Sequence, residues 1–103
     1  MVDTTPLTRA VDHFADRLRA APQSRLQRSG AAEALALARE LALRAQRIED
    51  PSCVPREMPD AGMFAAADQI TVAVHDLALV LSDEGQVEEA VRLVEEAQKR
   101  AGV

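Results

Sequence analysis

Four amphipathic helices, packed as an antiparallel bundle of two helical hairpins, are what the pattern of this all-α sequence predicts. Apolar residues recur at three- and four-residue spacing in four segments, and no segment alternates with period two. Alanine is the commonest residue, which favours helix and lets helix axes come close. The few glycines and prolines fall mostly between the periodic segments. Two Phe and no Trp or Tyr leave the core to Leu, Val, Ile, Met and Ala. At 103 residues the chain forms one domain, 1–103, with a small core of its own.

The first helix is expected from about 6 to 20. Thr5 caps it, and Pro6 suits its start, where a missing N–H has no partner to lose. Leu7, Val11, Phe14 and Leu18 form one stripe, with Arg9, Asp12, Asp16 and Arg19 opposite. Pro22 ends the helix, and 23–29 is a connector in which one helical turn points Leu26 inward. The second helix is expected over 30–49 with Ser29 as cap. Ala34, Leu35, Leu37, Ala38, Leu41, Ala42, Ala45 and Ile48 cover one wide face, and Glu33, Glu40, Arg44 and Arg47 the other. Glu40 and Arg44 are four apart in the favourable order, an increment of about 0.3 kcal/mol. Leu43 falls among the polar residues and is expected half exposed.

Pro51, Pro55 and Pro59 make the joint 50–59 extended and stiff. It either crosses from one end of a bundle to the other or separates two hairpins. Asp60 is the expected cap of a third helix over 60–83, with Met63, Ala66, Ala67, Ile70, Ala73, Val74, Leu77 and Leu81 on its inner face. Gly85 is the expected stop, because glycine tolerates a left-handed helix end. In the fourth helix, 86–101, Val87, Ala90, Val91, Val94, Ala97 and Ala101 face inward. Glu88 and Glu89 sit near its positive end, and Lys99 and Arg100 near its negative end.

The net charge is −5, and it is uneven. Residues 1–51 carry eight Arg against seven acids, whereas residues 52–103 carry four bases against ten acids. An acidic second half repels phosphate backbones, so nucleic acid and anionic lipid are not expected partners. The cluster Arg17, Arg19, Arg25 and Arg28 reads as a solvated helix end and loop. The segment from Met63 to Leu81 is mostly apolar, but Asp68, Gln69, His75 and Asp76 interrupt it, so no membrane helix is expected. Residues 1–10 contain no apolar secretory run. Cys53 stands alone, which precludes an intrachain disulfide and fits a reducing cytoplasm. Of twelve bases only Lys99 is lysine, a bias of bacterial high-GC coding.

No catalytic constellation stands out. Ala10 and Val72 stand three before His13 and His75, so the Glu-x-x-His pattern of carboxylate-bridged metal bundles is absent. No phosphate loop, nucleophile elbow or zinc spacing appears. Cys53 has only Arg56 nearby to lower its pKa and reads as a passive thiol. His13 reads as a surface histidine.

The segment 71–102 resembles a single tetratricopeptide repeat, a helix–turn–helix unit. Val74, Leu77, Ala78 and Leu81 stand at the large and small positions of its first helix. Gly85 stands at the turn, and Glu88, Glu89, Ala90 and Ala97 at the short acidic run and small positions of its second. Val74 replaces the usual Trp, Leu81 the usual Tyr, and no Pro closes the unit. The resemblance implies that the outer face of the first helix, at Val72, His75, Leu79, Ser82 and Asp83, lines a groove for a partner. Helical spacing alone also places Val72 and Leu79 outside the core arc, as a contact stripe or as ordinary exposed residues. The expectation is a non-enzymatic, cofactor-free module that binds a protein partner or itself as a dimer. The alternative is a small-molecule or metal-binding bundle centred on His75.

Overall fold

The computed structural model describes residues 2–103, and every regular element among them is helical. Helix α1 spans Thr5–Ala20, α2 Ala31–Glu49, α3 Ala66–Val80 and α4 Glu84–Ala101, giving the expected four-helix bundle. The stripes read from spacing are the core. Leu7, Val11, Phe14, Leu41, Ile70, Leu77, Val74 and Val94 are the largest fully buried side chains. Ala34, Ala38, Ala45, Ala66, Ala67, Ala73, Ala90 and Ala97 fill the seams between them. Leu43 is half-buried as expected, but Ile48 is 39% exposed at the end of α2.

Helix ends depart from the sequence reading where local hydrogen bonding outweighs residue type. Thr4 rather than Thr5 precedes α1, and the Asp3 carboxylate accepts from the Thr5 backbone N–H at 2.9 Å. Pro22 ends α1 and also opens the next helical run. Gln23–Arg25 and a π turn at Leu26–Gly30 lead into α2 without leaving helical geometry. Leu26 is indeed buried there. Ser29 therefore does not cap α2, since the helix is already under way upstream. Its hydroxyl donates instead to the carbonyl of Ala101, at 3.0 Å, the last residue of α4.

Asp60 does not cap α3. It accepts from the Gly62 N–H at 2.8 Å and shapes a turn that Gly62 enters at φ 91°, ahead of a 3₁₀ turn at Met63–Ala65. Nor does Gly85 stop α3. Helix α3 ends at Val80, where Leu81 turns extended, and Gly85 is already inside α4 with an ordinary φ. The turn is made by Asp83, whose carboxylate accepts from the Gln86 backbone N–H at 2.8 Å while the Gln86 side chain accepts from the backbone of Asp83 and Ser82. This reciprocal capping box satisfies donors that a helix start leaves unpaired. The left-handed glycine is Gly102, at φ 74°, closing α4.

The order around the bundle is α1, α3, α2, α4: α1 and α2 each pack on both α3 and α4. Arg19 at the end of α1 meets Asp68 at the start of α3, so those two run in opposite directions (2.9 Å). Arg100 at the end of α4 meets Glu33 at the start of α2 (2.9 Å), and Arg44 approaches Glu89 at the other end (3.9 Å), so α2 and α4 also run in opposite directions. Helices joined by short links thus run antiparallel but sit at diagonal corners. The two helices of the repeat-like segment pack chiefly on α1 and α2 rather than on each other.

Of the two routes open to the proline-rich joint, the structure takes the crossing one. It climbs back along α2, so that α2 and α3 start at the same end. Three side chains hold it: Arg39 Nε donates to the carbonyl of Met58 (2.8 Å), Gln69 Nε2 to that of Pro59 (2.8 Å) and Gln46 Nε2 to that of Arg56 (2.9 Å).

Candidate interaction surface

Among the described residues five large apolar side chains are exposed: Ile48, Val54, Phe64, Val72 and Leu79. Two of them, Val72 and Leu79, lie on the outer face of α3, and Phe64 lies on the 3₁₀ turn that leads into it. At 3.6 residues per turn, Asp68, Val72, His75 and Leu79 fall within an arc of about 60°. Phe64 carries the same line one step further towards the end of α1. The opposite face of α3 is locked into the bundle by Ala66, Ile70, Ala73, Val74 and Leu77. The stripe is therefore the side of the helix that the four-helix core leaves over.

Phe64 was not among the residues that the sequence singled out. Its eight-residue distance to Val72, about two helical turns, is the signal that could have found it. Met63–Val80 has a mean hydropathy of 1.3 and is long and apolar enough to cross a membrane by composition. Within the fold its apolar side packs on α1 and α2, and its Asp68 accepts from Arg19 Nη2 at 2.9 Å.

The expected contact residues divide into two groups. Val72 and Leu79 are 55% and 84% exposed, and His75 is exposed between them. Ser82 and Asp83 belong to the turn: the Ser82 backbone N–H donates to Gln86 Oε1 (2.9 Å), and Asp83 is the cap of α4. Leu79 also borders a groove of about 750 Å³ between the second halves of α2 and α3 and the crossing joint. Ala42, Ala45, Met58 and Val80 give that groove its apolar floor.

His13 and His75 are both exposed, and among the described residues no three His, Cys, Asp or Glu side chains are placed to hold a metal ion. Cys53 is half-buried in the joint, with its Sγ 3.6 Å from the carbonyl of Gln46.

The strongest electrostatic feature is on α4. Arg92 donates to both carboxylate oxygens of Glu89 (2.6 and 3.1 Å) and to Glu96 (2.8 Å). The hydrogen bond from Arg92 holds the Glu89 carboxyl below its ordinary value, and the same partners raise Arg92. The pairs are solvent-exposed and organise charge more than they stabilise the fold.

Comparison of the chain with protein-family models, with curated proteins and with solved structures gives no match.

Proposed function

We propose that this protein is a small non-enzymatic interaction module that contacts a protein partner, or a second copy of itself, through the outer face of α3. One observation carries the reading: Phe64 on the turn before α3, and Val72 and Leu79 on α3, are 76%, 55% and 84% exposed along one line, and the other side of α3 is committed to the core. Scattered apolar side chains are ordinary on a protein surface, but aligned ones on a rigid helix form a ridge that a second helix can pack against. His75 lies within the ridge, and Asp68 and Asp76 flank it with charge. The reading does not depend on the repeat architecture, because the ridge is a property of α3 alone. A cytoplasmic setting, consistent with one unpaired cysteine, belongs to the same proposal.

The test is the double substitution Val72→Asp/Leu79→Asp. Helicity by circular dichroism stays at the parent's level, and molar mass by light scattering falls from dimer to monomer, or binding to a captured partner is lost. A variant that assembles and binds as the parent does removes the α3 face from consideration. Metal retained by the purified protein and released by His75→Ala without unfolding would put the ligand-binding reading in its place.

A further inference from the structure

A second surface, independent of the α3 ridge, lies on the far corner of the bundle. Between the start of α1 and the outer side of α4 runs a groove of about 500 Å³ whose floor is apolar, formed by Pro6, Val87 and Val91. Its rim is acidic on balance, with Glu84, Glu88, Glu95 and Glu96 along α4 and Asp3 across from them, against Arg92 and, at the far end, Lys99. We propose that this groove takes a basic amphipathic helix of another protein, with its apolar side on the valines and its Lys or Arg side chains on the glutamates.

Charge complementarity selects that occupant. Arg92 is the cation nearest the middle of the rim, and it is consumed by Glu89 and Glu96 on the flank. Among the described residues no cation lies within ion-pair distance of Glu84, Glu88 or Glu95. The helix dipole accounts for Glu84 in the first turn but fades before Glu88 and Glu95. Glu84 and Glu88 are like charges four apart on one helix, which opposes folding. The fold thus holds three carboxylates without an ion-pair partner in a row beside a groove floored by exposed Pro6, half-buried Val91 and buried Val87, an arrangement that a basic amphipathic segment complements on both counts. The row from Glu84 to Glu95 spans about 16 Å of helix, the length of three turns in a partner. Because α3 and α4 occupy diagonal corners, the groove and the ridge face different directions.

The probe is a fluorescein-labelled 18-residue peptide of Leu and Lys patterned as an amphipathic helix, with a Leu/Glu peptide of the same pattern as control. Anisotropy titration is expected to show binding of the Lys peptide alone, weakening at least tenfold between 50 and 300 mM salt. Glu88→Lys/Glu95→Lys and the milder Glu88→Gln/Glu95→Gln each lose at least tenfold in affinity with helicity unchanged. Asp12→Lys/Glu49→Lys makes the same change in net charge away from the groove and stays within threefold of the parent. Val72→Ser/Leu79→Ser also binds as the parent does, which separates this surface from the α3 ridge. Equal losses in the groove variants and the Asp12/Glu49 variant would reduce the effect to net charge and overturn the proposal. So would equal binding of the Leu/Glu peptide, or no binding of the Lys peptide by the parent at 1 mM.

Discussion

The Gln46 carboxamide pairs with the backbone of Arg56 as a neighbouring strand would. Gln46 Nε2 donates to the Arg56 carbonyl at 2.9 Å, and the Arg56 N–H donates to Gln46 Oε1 at 2.7 Å. This two-point clamp fastens the crossing joint to α2 where the joint has little apolar surface to bury. Val54 is 90% exposed at its tip, and Met58 is its main anchor against the core. Gln46→Ala removes both bonds and is expected to lower stability by about 1 kcal/mol, most of it local to the joint. Hydrogen exchange checks this: the Arg56 amide loses protection while the amides of Ile70 and Val94 keep theirs. Loss of protection throughout the bundle would mean that the joint folds as part of the core.

Gly85 and Gly102 separate two accounts of how α4 begins and ends. Gly85 has an ordinary helical φ, and a β-carbon there would lie 3.2 Å from Asp83 Oδ1, a tight but adjustable contact. Gly85→Ala is therefore expected to change stability by less than about 0.5 kcal/mol, with helix propensity offsetting the crowding. Gly102 sits at φ 74°, where a β-carbon is strained whatever its surroundings, and Gly102→Ala is expected to cost about 1 kcal/mol. Urea denaturation of the two variants gives the comparison. If Gly85→Ala proves the more damaging, glycine rather than the Asp83–Gln86 capping box makes the turn.

The buried faces were legible because burial imposes a period that composition cannot imitate. Leu7, Val11, Phe14 and Leu18, and Val87, Ala90, Val94 and Ala97, lie where a 3.6-residue repeat puts them. Helix ends were less legible because several residues compete for the same unpaired N–H groups. Ser29, Asp60 and Gly85 each have the right chemistry for an end, but Ser29 lies in a helical run that begins upstream, Gly85 follows the Asp83 cap, and Asp60 spends its carboxylate on the Gly62 turn ahead of the helix. The diagonal placement of linked helices depends on the route of the joint. That route is fixed by Arg39, Gln46 and Gln69 reaching backbone carbonyls ten to nineteen residues away. On a helical wheel such residues look like any solvated face. Val72 and Leu79 were visible as apolar residues outside the core arc, whereas the acidic groove needs α1 beside α4 and has no linear signature.

Acid sensitivity follows from the two carboxylates held below their ordinary values. Glu89 is lowered chiefly by its hydrogen bond from Arg92, and Asp3 by its hydrogen bonds from Thr5. A lowered folded-state pKa means that the contribution is complete above the ordinary value and is lost as pH falls through the folded-state value. The ordinary values are 4.5 for Glu89 and 3.8 for Asp3. Parent and Glu89→Gln are therefore expected to differ by a constant amount from neutral pH down to about 5 and to converge below that. Thermal midpoints measured across this range check the sign. A difference that widens with acidification would place the stabilising proton on the wrong side of the Glu89–Arg92 pair.

Phe64 gives the sharpest test of the α3 ridge, because its ring is large and the core does not use it. At 76% exposure it borders a small cleft with Leu18, Leu26 and Met63 at the junction of α1 and α3. A side chain so exposed contributes little to folding, and Phe64→Ser is expected to stay within about 0.5 kcal/mol of the parent. An aromatic at the centre of a contact, by contrast, typically contributes about 2 kcal/mol or more to binding. If Phe64, Val72 and Leu79 act as one surface, Phe64→Ser weakens self-association or partner binding roughly thirtyfold with the melting temperature almost unmoved, since 2 kcal/mol corresponds to about that factor. Sedimentation velocity over a concentration series measures the first, and calorimetric melting the second. A large drop in melting temperature would assign the ring to the fold instead, and an unchanged association constant would confine the contact to the second half of α3.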